Sequence, residues 1–143
     1  MKQKIHREFT LVALTTILLT TVVVTAAFYS FFKKEVMEEL STCAEVLSST
    51  GVFEGANETD AEQISARLGL EPVRISLINA DGTVLYDSEA DPDTMDNHSQ
   101  RDEVVAARKY GLGESVRYSD TLTEKTVYCA VRLDSGDILR VSD

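Results

Sequence analysis

Residues 73–88 read VRISLINADGTVLYDS. Val73, Ile75 and Leu77 alternate with Arg74 and Ser76, the period of two that marks a half-buried strand. Asn79-Ala80-Asp81-Gly82 interrupts the pattern with a tight-turn signal, glycine supplying positive φ. Val84-Leu85-Tyr86-Asp87-Ser88 then reads as the returning strand. The stretch is a β-hairpin, and it places the centre of the chain in a sheet.

Downstream, Glu89, Asp91, Asp93 and Asp96 with Pro92 make an acidic, irregular stretch over 89–100. It fails as a calcium loop, because a register starting at Asp91 puts Asp96 and Asp102 where glycine and glutamate are needed. It reads as a solvated acidic loop, with diffuse divalent-cation binding as the lesser alternative. Arg101 to Tyr110 reads as a helix with Val104, Val105 and Ala107 on one side, ended by Gly111 and Gly113. Glu114 to Thr121 and Lys125 to Leu133 read as strands. In the second, Val127, Cys129, Val131 and Leu133 alternate with Tyr128, Ala130 and Arg132, which points Cys129 at the core. Asp134-Ser135-Gly136-Asp137 is a turn, and Ile138 to Val141 is a fifth strand. A hairpin, a helix-bearing crossover and three further strands predict an α+β domain. Its five-stranded, mostly antiparallel sheet with helices on one face has a PAS-like element order.

Upstream, Thr59 or Asp60 is a candidate cap for a short helix to Leu68, with Gly69 as its stop. Residues 51–57 read as loop. From Lys33 to Ser49, Val36, Leu40, Cys43 and Leu47 recur at spacings of four, three and four, a two-heptad seam. The seam serves either a dimer stalk or packing on the chain's own domain, and one helix can do both.

Residues 9–32, FTLVALTTILLTTVVVTAAFYSFF, carry no charge. As a helix they extend roughly 36 Å, against about 30 Å of bilayer hydrocarbon. Lys2, Lys4 and Arg7 precede the run, Lys33 and Lys34 follow it, and Phe28, Tyr29, Phe31 and Phe32 match an aromatic belt. The run is too long for a signal peptide cleaved after Val24-Thr25-Ala26. Uncharged runs of this length are rare in soluble cores. A pilin anchor needs Gly and Glu where Glu8 and Ala13 stand. The six threonines of the span can bond back to carbonyls one turn earlier. Thr16/Thr20, Thr21/Thr25 and Ala26/Ser30 are small pairs that permit close helix approach.

The segments are therefore a cytoplasmic tail (1–8), a transmembrane helix (9–32), a stalk helix (33–50) and an extracytoplasmic PAS-like domain (51–143). Beyond residue 32, 111 residues suffice for one small domain. That part holds 11 basic and 23 acidic residues, a net −12, which disfavours nucleic acid and anionic lipid as partners. The basic residues at the start place the amino terminus in the cytoplasm. His6 reads as a solvated side chain of the tail. Cys43 and Cys129 are read first as buried thiols, with a disulfide as the alternative. Asn57-Glu58-Thr59 and Asn97-His98-Ser99 match glycosylation sequons, a frequent chance pattern.

No Ser-His-Asp order, metal-ligand spacing or glycine-rich phosphate loop is present, so no catalytic or metal residue is assigned. Recognition candidates are Arg74, Tyr86, Asp87, His98, Arg101, Arg117 and Tyr118, on or beside the sheet and its crossover. The plainer reading makes them surface ion pairs and rim residues.

The run Arg74 to Ser88, with Asn97-His98, Arg101-Asp102-Glu103-Val104 and Gly113 to Thr121, resembles the extracytoplasmic sensor domain of phosphate-regulon-type sensor histidine kinases of Firmicutes. In that family a membrane helix, a PAS-like sensor and a second membrane helix lead to a dimeric kinase. The kinase uses ATP and magnesium and passes phosphate to a response regulator. The resemblance implies that this chain is the membrane and sensing half, an input fragment lacking the kinase residues and their cofactors, and a homodimer through its membrane and stalk helices. The alternatives are the sensor of a chemoreceptor or cyclic-dinucleotide enzyme, or a membrane-anchored binding protein complete in itself.

Overall fold

The computed structural model describes residues 2–70, 73–118 and 125–143. The chain divides into two units, Met1–Glu35 and Val36–Asp143. Helix α1, Lys2–Ser49, supplies all the described part of the first. It is long and apolar enough to cross a membrane, with a mean hydropathy of 2.3 over its most apolar 18-residue window. Its apolar side chains, Phe9 to Phe32, are exposed, the state expected of a lipid-facing helix. The hydroxyls of Thr10, Thr15, Thr16, Thr20 and Thr21 donate to carbonyls four residues earlier, so none presents a bare donor to hydrocarbon.

The second unit contains the last turns of α1, then α2 (Glu58–Leu68), β1 (Arg74–Ile78), β2 (Val84–Asp87), α3 (Asp102–Tyr110), β3 (Leu112–Tyr118), β4 (Lys125–Arg132) and β5 (Ile138–Ser142). The five strands form one antiparallel sheet in the order β2-β1-β5-β4-β3. The hairpin is therefore β1–β2, and β5 returns to lie between β1 and β4.

Several boundaries differ from the sequence reading. Asn57, not Thr59 or Asp60, caps α2, its side chain accepting from the Asp60 N–H at 3.0 Å. A single 3₁₀ turn at Pro92–Thr94 lies inside the acidic loop. Strand β3 starts two residues early, at Leu112, and residues 119–121 of the expected strand lie outside the described residues. Phe53, in the loop after α1, is fully buried in the main core. Glu54 beside it accepts from the Asp134 and Ser135 N–H groups, both at 2.9 Å, and fixes the loop to the β4–β5 turn.

Helices cover both faces of the sheet rather than one. On the first face, Leu40, Ala44 and Leu47 of α1 pack with Ile75, Leu77, Tyr86, Cys129, Val131, Leu139 and Val141. Val36 and Cys43 join the same cluster, so the heptad seam is used by the chain's own domain. On the second face, Val104 and Ala107 of α3 pack with Ile78, Val84, Ala130 and Ile138. Val105 is 46% exposed, so the buried side of α3 is Glu103, Val104 and Ala107. Double cover explains why all five residues of β1 and of β5 are buried.

Both cysteines are free. Burial pushes the Cys129 thiol up to about 11, and burial followed by the Glu39 charge raises that of Cys43. Both sequon asparagines have structural work: Asn57 caps α2, and Asn97 donates to the Asp81 carbonyl while accepting from the Ser99 N–H.

Candidate functional site: a buried charge cluster between sheet and helix α3

Strand alternation sends Arg74, Ser76, Arg140, Ser142, Tyr128, Ser115 and Arg117 to the face that α3 covers, because directly paired residues share a face. Asp87, opposite Ser76, joins them from β2. Helix α3 lowers Glu103 onto the same spot, with no exposed surface left on its side chain.

The contacts form one connected system. Arg74 Nε donates to both Asp87 oxygens, at 2.9 and 3.1 Å. Ser76 Oγ donates to Asp87 Oδ2 at 2.7 Å and accepts from Arg140 at 2.9 Å. Arg140 is 2% exposed and reaches Glu103 Oε1 at 3.5 Å and Asp87 Oδ2 at 3.8 Å. Glu103 also accepts from Ser115 Oγ at 2.6 Å and from Arg117 at 3.0 Å. The ring of Tyr128 lies under two guanidinium groups, 4.0 Å from Arg117 and 5.1 Å from Arg140, a cation–π arrangement.

Among the described residues three guanidinium groups face two carboxylates, a net +1 for those groups inside a chain of net −10. Burial works to raise the Glu103 carboxyl, but hydrogen bonds from Ser115 and Arg117 outweigh it and leave it below the ordinary value. Burial lowers Arg140, against the opposing pull of Glu103 and Asp87; it stays charged, as arginine does in proteins. The Nε atoms of Arg117 and Arg140 and the hydroxyl of Ser142 are buried and make no hydrogen bond among the described residues. The cluster thus has surplus donors and a surplus positive charge. Its two hydroxyl–carboxylate pairs, Ser76 with Asp87 and Ser115 with Glu103, are each held by arginine, so the cluster is an arrangement of fixed charges.

Of the seven sequence candidates, the structure brings Arg74, Asp87 and Arg117 into the cluster. His98 lies beside it: burial first, then the positive charges of Arg140, Arg101 and Arg117, lower its pKa to about 4 despite Glu103. Arg101 is half-buried at the start of α3, its backbone N–H donating to the His98 carbonyl at 3.0 Å. Tyr86 points to the opposite face and belongs to the α1 core. Tyr118 is 62% exposed and, one residue on from Arg117, faces away from the cluster. Sequence reasoning missed Ser76, Glu103, Ser115, Tyr128 and Arg140. A charge between Leu139 and Val141 in a strand was the available signal for Arg140. Among the described residues no group of three or more His, Cys, Asp or Glu side chains converges.

The His98 shift has a sign that can be checked. The unfolded chain binds its proton near pH 6.5 and the folded chain only near pH 4. Between those values the unfolded state holds more protons, so stability falls as pH drops. We expect the domain to lose on the order of 2 kcal/mol relative to a His98→Gln variant between pH 7 and pH 4.5. Urea unfolding of both proteins across that range measures the difference; parallel curves would contradict it.

A long apolar helix followed by an α+β domain with a five-stranded antiparallel sheet is a PAS-like architecture. The chain belongs to the single Cache-like family, whose model matches residues 24–137. Domains of this family are extracytoplasmic sensors typical of bacterial sensor kinases and chemoreceptors. The match does not separate a phosphate-regulon kinase of Firmicutes from other receptors carrying the same domain. No curated protein matches the chain in sequence comparison.

Proposed function

We propose that the chain is the sensing input of a transmembrane sensor histidine kinase of the phosphate-regulon type. In this reading the amino terminus is cytoplasmic and the domain from Val36 onward extracytoplasmic. The kinase half would use ATP and magnesium and would phosphorylate a response regulator. The observation that carries the proposal is that β1, β4 and β5 are shared walls. Arg74, Ser76, Tyr128 and Arg140 face the charge cluster, while Ile75, Leu77, Cys129, Leu139 and Val141 of the same strands face α1. A stimulus that alters the seating of α3 therefore moves strands on which α1 rests. To change output it must favour one arrangement by a few kcal/mol.

The homodimer of this proposal would form through the membrane-spanning and stalk parts of α1. Leu40 and Leu47 are buried in the domain, so a partner helix would meet the exposed strip of Glu38, Thr42, Glu45 and Ser49 instead. The family is also typical of chemoreceptors, and that output is the second reading.

The test joins residues 1–143 to a second membrane helix and the kinase half of a two-component reporter. Glu103→Gln keeps the shape of the α3 contact and removes its charge. Reporter output is expected to change at least about fivefold at equal membrane abundance. Unchanged output from a folded receptor would defeat the proposal.

A further inference from the structure

Residues 97–101 form a strap that joins the β1–β2 turn to α3. The His98 N–H donates to the Gly82 carbonyl at 2.7 Å, and the Asn97 side chain donates to the Asp81 carbonyl at 3.2 Å. At the other end the Arg101 carbonyl accepts from the Val105 N–H at 2.9 Å, and the Ser99 carbonyl accepts from Arg108 at 3.3 Å. The strap lies so close to the turn that a Cβ on Gly82 would collide with the Ser99 nitrogen. His98 is its buried residue, 7% exposed, and its Nδ1 is buried with no hydrogen bond among the described residues. The charges that reach its ring are Arg140 from β5, Arg101 from the strap itself, Arg117 from β3 and, opposing them, Glu103 from α3. On the turn, Asp81 is exposed and its carboxylate accepts from the Thr83 N–H.

We propose that His98 is a proton-operated latch: a proton on its ring releases the strap from the turn and lets α3 lift from the sheet, while the core under α1 stays packed. An imidazolium here would sit beside three guanidinium groups and one carboxylate, its Nδ1 proton without an acceptor among the described residues. In water it finds both hydrogen bonds and distance from the arginines. Helix α3 is lightly anchored: its buried apolar residues are Val104 and Ala107. The α1 face has its own core, built on Leu40, Leu47, Leu77 and Leu139, which His98 does not join. An element with few buried apolar contacts opens below the cost of global unfolding. Burial, then the arginine charges, lowers the pKa of the closed ring from 6.5 to about 4. The open state therefore binds the proton more tightly, and opening is favoured as pH falls from 7 toward 4. Between pH 7 and pH 5 that difference multiplies the opening equilibrium about twentyfold. The latch deepens the sensing proposal by naming the proton as a stimulus, yet its opening requires no kinase output.

The experiment measures native-state hydrogen exchange of the full chain in detergent micelles at pH 7 and pH 5, corrected for the intrinsic pH dependence of exchange. Protection of the amides of residues 106–110 is expected to fall with pH, and the loss in wild type should exceed that in His98→Gln about twentyfold. At pH 5 those α3 amides should also be at least about tenfold less protected than the amides of β5, the central strand, which report global unfolding. That comparison needs no variant, so it stands if His98→Gln does not fold. Equal losses in wild type and His98→Gln would overturn the proposal. So would equal protection of α3 and β5 at pH 5, because the opening would then be global. If α3 opens as expected and the fused reporter gives the same output at pH 5 and pH 7, the latch stands and the sensing proposal falls.

Discussion

Replacing Arg140 with alanine is expected to destabilise the domain by about 4 kcal/mol, the scale of breaking a buried ion pair from one side. Arg140 bonds Ser76 and lies within salt-bridge range of both Asp87 and Glu103. Among the described residues its removal leaves Glu103 with one guanidinium partner, Arg117, and Asp87 with one, Arg74, each carboxylate buried beside an unfilled space. Arg140→Lys keeps the charge and loses the forked geometry, so its cost should fall between wild type and alanine. Urea unfolding of the full chain in detergent, followed by circular dichroism, ranks the three proteins. An alanine variant within 1 kcal/mol of wild type, roughly the worth of an exposed pair, would show that the cluster is not a stabilising element.

Gly113→Ala is the second large effect. Gly113 was legible as a helix stop, but its role is different: it lies in β3 directly beneath α3. A Cβ built there would collide with the Glu103 carbonyl oxygen and approach the Ala107 nitrogen to 2.8 Å. Both atoms belong to the helix backbone and cannot rotate away. Ordinary overpacking costs about 1–3 kcal/mol, and a backbone collision should exceed it. Because Glu103 rides on that turn, the variant should also lose the Ser115 and Arg117 contacts. Hydrogen exchange of α3 amides is the direct readout. Protection equal to wild type would mean that the helix can seat elsewhere. Gly82 is a different case: it combines φ of +96° with a backbone approach to Ser99, and sequence reasoning anticipated the first of these.

The hairpin, the strand count and the apolar helix were legible because each follows a local rule. Alternation, turn chemistry and uninterrupted hydrophobicity need no knowledge of distant partners. The faces were harder. Tyr128 and Ala130 alternate with Val127 and Cys129, which looks like a one-sided strand, yet both sides of β4 are largely buried. Such double burial depends on α3 and α1 arriving from opposite sides, and no local pattern carries that. The same reason hid the cluster. Arg74, Asp87 and Arg117 were visible as charged residues near a sheet, but Glu103 and Arg140 acquire meaning only through contacts spanning 37 residues of chain.

Tyr128, closed in beneath Arg117 and Arg140, gives the domain an intrinsic optical probe. The chain contains no tryptophan and only five tyrosines, so ultraviolet dichroism and phenol emission are not swamped by indole. Tyr128 is 2% exposed and wedged under cations, while Tyr110 and Tyr118 sit in solvent at 73% and 62% exposure. Any event that loosens the cover over β4 will dim or rotate that one chromophore's signal, and it can be watched without attaching a dye.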